Sequence, residues 1–156
     1  MSKPFDISIS FEPPATVGNA LEREDGILSH AVHCPYQAGE TKIHVLLPQR
    51  QSAEALKTLY VLPVERFDGH VCGDAMAEII RHGLHNKHQL ICVMPTFSHA
   101  PWYADHPTDP LIRQESYFLK VVMPFVEKTY PVQRGSSGRM LLGFSKSGWG
   151  AYSLLL

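Results

Sequence analysis

The sequence has few cysteines, no excess of charge and no long apolar run, and each absence excludes a class of protein. Its three cysteines, Cys34, Cys72 and Cys92, are widely spaced and odd in number, which argues against a disulfide framework. The formal net charge of −1 gives no electrostatic basis for binding nucleic acid. No apolar run reaches the roughly 18 residues of a membrane span, and the N-terminus lacks a signal-peptide pattern. We therefore expect a cytoplasmic protein without a nucleic-acid or membrane partner.

The composition that remains is that of a globular domain. Hydrophobic residues make up 44% of the 156 residues and charged residues 19%, so the chain can build a core and carries no signature of disorder. We expect a single domain over residues 1–156, with a loosely ordered lead-in over residues 1–20 and a surface loop over residues 96–112. Cys92 lies within an apolar run and is expected in the core.

Hydrophobic periodicity predicts an α/β fold. Residues 26–34 and 42–47 have the pattern of two strands joined in an antiparallel hairpin. Three later segments are apolar throughout, which is typical of strands covered on both faces; they are Leu59–Val64, Gln89–Met94 and Arg139–Phe144. This order predicts a mostly parallel sheet with an N-terminal antiparallel hairpin and helices on both faces.

The helices are expected between and after these strands. Helical spacing over Asp74–His85 predicts a helix with Asp74 as N-cap and with an inward face; that face is formed by Ala75, Ile79 and Ile80. A second helix is predicted over Glu115–Tyr130, where Pro124 should kink the helix or mark its restart. A third begins at Lys146.

The segment from Arg139 to Gly150 carries the most specific chemical signal. An apolar strand runs into Ser145 and then into a helix that begins with small residues. In the pattern small-x-Ser-x-small the serine sits on a tight strand-to-helix turn, and Gly143 and Ser147 fill the small positions, Ser147 in place of the usual glycine. Such a turn presents Ser145 as a nucleophile and the backbone N–H of Lys146 to a developing oxyanion. The alternative is an ordinary helix-capping serine.

With this motif in this order of elements, the sequence resembles the α/β-hydrolase fold, and within it the esterase D-like family. That family includes S-formylglutathione hydrolases, enterochelin and feruloyl esterases, and mycolyltransferases. The matching stretches cover about half of the chain; they are Leu59–Glu65, Ile91–Pro95, Glu115–Val132 and Arg139–Ser153. The resemblance implies a serine carboxylic-ester hydrolase that forms an acyl-enzyme on Ser145. Its substrate would be a small-molecule ester or thioester, and no cofactor or metal is implied.

Two further parts of the site follow from the resemblance. A second oxyanion donor is implied in the loop after Leu59–Val64, where relatives commonly carry a His-Gly pair. Pro63 has no N–H to donate, which leaves the backbone of Val64 or Glu65, unless Glu65 and Arg66 merely form a surface ion pair. In the loop 96–112, Trp102 and Tyr103 either wall a substrate pocket or pack the loop onto its own domain.

The catalytic triad is incomplete in this sequence. The fold places an acid and then a histidine after the nucleophile, and neither residue type follows Ser145 here. We therefore expect a domain truncated after the strand-to-helix turn at Ser145 (the elbow), inactive by itself and able to self-associate through an exposed sheet edge. An upstream base would have to be His99 or His106. The alternatives to an esterase are a non-catalytic binding module and an acyltransferase of the same fold.

Metal binding is the other chemistry that the histidines suggest. The triplet His82, His85 and His88 lies at the end of a predicted helix, where basic residues are expected from the helix dipole alone. His30, His33 and Cys34 lie on a strand, whose alternation separates neighbouring side chains. We expect no metal site at either place.

Overall fold

The structure is a computed structural model that describes residues 14–50 and 54–155. Within these residues, seven strands form one mixed sheet. The strands are β1 (Thr16–Val17), β2 (Leu21–Glu22), β3 (Leu28–His33), β4 (Thr41–Leu46), β5 (Lys57–Val61), β6 (Leu90–Pro95) and β7 (Arg139–Leu142). The helices are α1 (Ala75–Arg81), α2 (Leu84–Lys87), α3 (Gln114–Tyr117), a π-helical turn (Phe118–Val122), α4 (Met123–Thr129), a 3₁₀ turn (Ser136–Gly138) and α5 (Lys146–Ser153).

The sheet has an antiparallel half, β1–β4, and a parallel half, β5–β7. Its strands follow the order β1-β3-β4-β6-β5-β7, with β2 also paired to β3. β3 and β4 pair antiparallel, with His30 opposite Ile43, which confirms the predicted hairpin. β5 lies parallel to both β6 and β7, and Val61 is level with Leu142 at their carboxyl ends. Because β4 pairs antiparallel with β6, the two halves form one continuous α/β sheet.

Helices cover both faces of the sheet. Alternate residues of β6 divide between two cores, Ile91 and Val93 in one, Cys92 and Met94 in the other. The larger core is aromatic and packs against α3, the π-helical turn and α4; its largest buried side chains are Tyr60, Phe97, Tyr103, Tyr117 and Phe118. The smaller core lies against α1. As predicted, Cys92 is a core residue, and its burial raises the pKa of the thiol to about 12.

Helix α1 begins where the sequence predicts, although its inward face differs. The Asp74 carboxylate accepts the N–H of Ala77 at 3.0 Å, so Asp74 is the N-cap. Met76 and Ile79 are buried whereas Ala75 is exposed, because burying a long apolar side chain stabilises the fold more than burying a methyl group. The helix also ends earlier than predicted: Gly83 has a left-handed φ of 60° and separates α1 from α2.

The predicted helix around Pro124 changes pitch at its centre. The N–H of Met123 bonds to the carbonyl of Phe118, which makes Phe118–Val122 a π-helical turn. Helix α4 then starts at Met123 with Pro124 in its first turn, a position at which helices tolerate proline. The helix restarts at the proline, as predicted.

Two segments that the sequence left without regular structure, the lead-in and the loop 96–112, make defined contacts in their described parts. The prediction for residues 1–13 lies outside the described residues, but Thr16 and Val17 already pair with β3. In the loop, Phe97, Ser98 and Tyr103 are buried, so it is a surface loop only in part. Within the described residues, no helix is both long enough and apolar enough to cross a membrane.

Candidate active site

Ser145 lies on a sharp turn at the carboxyl end of β7. Its backbone has φ 53° and ψ −122°, a region open to glycine and costly for a residue with a Cβ, by roughly 1–3 kcal/mol. The residue is exposed, and α5 begins at the next position. The turn therefore holds a hydroxyl group out at the edge of the sheet, with a helix N-terminus behind it.

Two small residues make this turn possible. A Cβ added at Gly143 would overlap the backbone carbonyl of Ser147, so the strand end and the helix approach too closely for any other residue. Ser147 is fully buried. Its hydroxyl accepts the N–H of Phe144 at 2.8 Å and donates to the carbonyl of Phe144 at 2.9 Å. Serine at the usual glycine position thus closes the turn with two hydrogen bonds.

Lys146 is the first residue of α5. The N–H groups of a first helical turn lack intrahelical acceptors, and the helix dipole favours an anion beside them. The backbone N–H of Lys146 therefore has the properties that an oxyanion donor needs. The side chain extends over the indole of Trp102, with Nζ 5.1 Å from the ring centroid. Trp102 is 62% exposed, so this pair lies at the surface beside the turn.

The loop after β5 runs alongside the end of β7. The N–H of Leu62 donates to the carbonyl of Leu142 at 2.8 Å, so the parallel pairing extends past Val61. Pro63, Val64 and Glu65 follow directly, which places the two predicted donor positions next to the segment that carries Ser145. β5 is also the strand at which the chain changes direction across the sheet, with β6 on one side and β7 on the other. Ligands of open α/β sheets bind at such switch points.

The Glu65 carboxylate serves its own loop. It accepts the N–H groups of Val71 at 3.1 Å and Cys72 at 2.7 Å. The bond from Cys72 and, to a smaller extent, the bond from Val71 hold the pKa of the carboxyl group below its usual value. The side chain therefore stabilises the loop over residues 65–72 through backbone bonds, which differs from the surface ion pair with Arg66 that the sequence left open.

Tyr103 takes the packing role that the sequence left open, because its side chain is only 2% exposed. Its hydroxyl donates to the carbonyl of Pro63 at 2.5 Å, and its ring lies against Gly150 of α5, where an added Cβ would overlap it. The buried Gln114 side chain accepts the N–H groups of Trp102 and Tyr103 at 2.7 and 3.1 Å. Nothing in the sequence pattern identifies Gln114 as part of the site. A glycine inside a predicted helix, such as Gly150, is in contrast a sign that another group packs closely against that helix.

A pocket of about 270 Å³ adjoins the turn. The loop after β5, the end of β7 and the start of α1 all contribute to its wall. The lining residues of the first two include Pro63, Val64, Glu65, Leu142, Gly143 and Phe144. The pocket is therefore bounded on one side by the candidate oxyanion loop and on the other by the residues that lead into Ser145.

The two upstream histidines bind within their own loop. Nδ1 of His106 accepts the N–H of Asp109 at 3.0 Å, and Nδ1 of His99 lies 3.2 Å from the hydroxyl of Ser98. In the histidine triplet, Nε2 of His82 lies 3.5 Å from Glu78, whereas the buried His85 contacts Asn86. These side chains have separate local partners.

No protein-family model and no curated protein matches this sequence. Solved structures match it in fold. An S-formylglutathione hydrolase from Agrobacterium tumefaciens aligns with a TM-score of 0.63 at 14% identity, over 88% of this chain and 56% of its own. A thermostable esterase aligns with a TM-score of 0.61 at 13% identity, over 84% of this chain and 37% of its own. A ferulic acid esterase aligns with a TM-score of 0.57 at 21% identity, over 80% of this chain and 52% of its own.

These likenesses define the class of fold. The chain has the α/β-hydrolase fold of esterases, and it spans about half or less of the length of these solved structures. At such identities the agreement concerns the path of the backbone and not the chemistry of the site.

Proposed function

We propose that this chain carries the nucleophile of a serine carboxylic-ester hydrolase of the esterase D-like family. The observation that carries the proposal is the backbone of Ser145, whose φ of 53° and ψ of −122° follow a parallel strand and precede a helix. An ordinary capping serine has no need of this costly conformation, whereas a nucleophile gains an exposed hydroxyl and a helix N-terminus beside it. The esterase fold of the matching structures supports the same assignment.

The proposed reaction begins with attack of the Ser145 Oγ on the carbonyl carbon of a small-molecule ester or thioester. The negative charge that develops on the carbonyl oxygen is stabilised by the backbone N–H of Lys146 and by a second N–H from the loop after β5. The alcohol or thiol leaves, and water releases the acyl group from Ser145. The reaction also requires a histidine that activates Ser145 and an acid that orients this histidine, and residues 146–156 contain neither residue type.

A fluorophosphonate probe tests the nucleophile in the full-length protein. We expect stoichiometric labelling of Ser145 and no labelling of Ser145→Ala. The matched control is Ser153→Ala in the same helix, whose hydroxyl only donates to the carbonyl of Gly150 and whose loss should leave labelling intact. A folded full-length protein without Ser145-dependent labelling would favour the binding module. Product analysis with an added alcohol then separates hydrolysis from acyl transfer.

A further inference from the structure

Tyr103 joins the loop after β5, helix α5 and the start of helix α3. Its hydroxyl binds the carbonyl of Pro63 in the loop after β5, its ring fills the space that Gly150 leaves open on α5, and its N–H binds Gln114. Of these three contacts, the one to Pro63 is the shortest hydrogen bond, at 2.5 Å. Because burial raises the pKa of the Tyr103 hydroxyl, the group stays protonated and acts as a donor.

The bond to Pro63 also fixes the direction of the next N–H group. In a planar trans peptide, the carbonyl oxygen of one residue and the N–H of the following residue point in opposite directions. The carbonyl of Pro63 points to Tyr103, which is a member of the larger core. The N–H of Val64 therefore points away from that core. Pro63 and Val64 line the same pocket as Gly143 and Phe144.

We propose that Tyr103 is a positioning residue that holds the Pro63–Val64 peptide so that Val64, and not Glu65, supplies the second oxyanion donor. This inference rests on the proposed esterase function. It gives a role to a tyrosine that touches neither the substrate nor the reacting atoms: it acts through the orientation of one peptide group.

The conformation of Tyr103 supports this role. Its φ of 60° is left-handed, which is costly for a non-glycine residue. Such strain persists where neighbouring groups over-determine it. Here Gln114, 1% exposed, accepts from the two N–H groups of Trp102 and Tyr103 and donates to the carbonyl of Ala100. A ring that served only to fill the core would not require the backbone to be locked in this way.

The test compares two buried tyrosines in the full-length protein. Tyr103→Phe keeps the ring and removes the hydroxyl that binds Pro63. Tyr117→Phe is the matched control. Tyr117 lies in the same core, and its hydroxyl accepts a hydrogen bond at 3.0 Å from Thr41, which is on β4 and not in the loop after β5. Hydrolysis of p-nitrophenyl acetate gives kcat and KM, and inhibition by phenylboronic acid, which forms a tetrahedral adduct with serine, reports on the oxyanion hole.

For Tyr103→Phe we expect kcat to fall about tenfold with KM within about twofold, less than the roughly 10²–10³-fold loss that follows removal of a whole donor. Inhibition by phenylboronic acid should weaken in the same proportion. Tyr117→Phe should melt at a lower temperature and keep its kcat. An unchanged kcat in Tyr103→Phe, or equal losses in both variants, overturns the inference.

A second measurement separates this inference from the proposed function. If the wild-type protein neither labels at Ser145 nor hydrolyses the ester, the proposed function fails. Amide hydrogen exchange at Val64 then decides the role of Tyr103 in holding the peptide. Faster exchange at Val64 in Tyr103→Phe, with no change in Tyr117→Phe, supports that role, and unchanged exchange overturns it.

Discussion

The parallel and antiparallel halves of the sheet differ in the features that cost folding free energy: strained backbone in the parallel half and buried titratable side chains in the antiparallel half. Each parallel strand is followed by one non-glycine residue with positive φ: Phe67 after β5, Tyr103 after β6 and Ser145 after β7. Among described non-glycine residues, the one other case is Gln89, which precedes β6. Backbone strain therefore collects at the carboxyl edge of the parallel half, where an open α/β sheet binds its ligand.

The antiparallel half instead buries titratable side chains. His30 on β3 lies 2.9 Å from the carbonyl of Gly18 and 2.6 Å from the Tyr130 hydroxyl. His44 on β4 is 1% exposed and lies 2.7 Å from the Asp68 carboxylate. The cost in folding free energy thus comes from backbone geometry near the candidate site in the parallel half, and from desolvated imidazoles in the antiparallel half. Mutations and pH should affect the two halves differently.

The largest effect is expected from an added methyl group at the elbow. In Gly143→Ala the new Cβ overlaps the Ser147 carbonyl, and backbone cannot move aside easily. We expect a loss of about 3 kcal/mol or more in the free energy of unfolding, together with loss of Ser145 labelling. The control in the hairpin is Gly39→Ala, where φ is 79° but the space is open; it should cost about 1 kcal/mol. Urea denaturation measures both, and equal costs would contradict the comparison.

A smaller effect is expected at the hydroxyl that closes the turn. Ser147→Ala removes both hydrogen bonds that the buried Ser147 hydroxyl makes to the backbone of Phe144, which should cost about 1–3 kcal/mol for the pair. The fluorophosphonate reaction should slow as the turn loosens. Ser153→Ala, which removes one bond to a carbonyl in the same helix, should cost less and leave the reaction rate unchanged. Similar rates in both variants would show that the two bonds of Ser147 do not shape the elbow.

The strain at Ser145 can be measured by a pair of substitutions. Both Ser145→Ala and Ser145→Gly remove the hydroxyl, but only glycine adopts φ 53° without cost. We expect Ser145→Gly to be more stable than Ser145→Ala by about 1 kcal/mol, as measured by thermal and urea unfolding. If alanine proves equally stable, the turn is not strained and the contrast between the halves disappears.

The antiparallel half should make stability depend on pH. Burial lowers the pKa of both His30 and His44 below 6.5, although Asp68 partly opposes this at His44. As pH falls below 6.5, the unfolded chain takes up protons before the folded one does. Stability is therefore complete above this pH and decreases as the pH falls further. Between pH 7 and pH 5, a span of about two pH units, the free energy of unfolding of His44→Gln should decrease less than that of the wild type. An unchanged curve would show that the buried His44 does not contribute to the pH dependence.

The smallest effect on stability is expected at the outer edge of β7. Within the described residues, β7 pairs with β5 alone, and Leu142 is 44% exposed beside a more exposed Phe144. We expect the 156-residue chain to self-associate through this edge. Leu142→Lys should change the free energy of unfolding by no more than about 0.5 kcal/mol and reduce association in light scattering. Association that persists in this variant would place the contact elsewhere.

Local patterns in the sequence were sufficient for strands β3 to β7, for the N-cap at Asp74, for the restart at Pro124 and for the turn at Ser145, but not for the short strands β1 and β2. Each depends on residues within a few positions of one another. The hydrogen bond from Tyr103 to Pro63 joins residues 40 positions apart in the sequence. The bonds from Tyr103 and Trp102 to Gln114 join residues 11 and 12 positions apart. Such contacts depend on the order of strands, in which β6 and β7 lie on opposite sides of β5, and no periodicity encodes that order.

The side chain of Ser147 also bears on how serine elbows are detected among gene sequences. A pattern that insists on glycine at this position discards the chain. The position, however, requires only a side chain short enough to fit inside the turn. Glycine fits there without adding a contact, whereas the serine hydroxyl adds two hydrogen bonds that stabilise the turn. A pattern that accepts any small residue at this position would therefore detect more distantly related sequences.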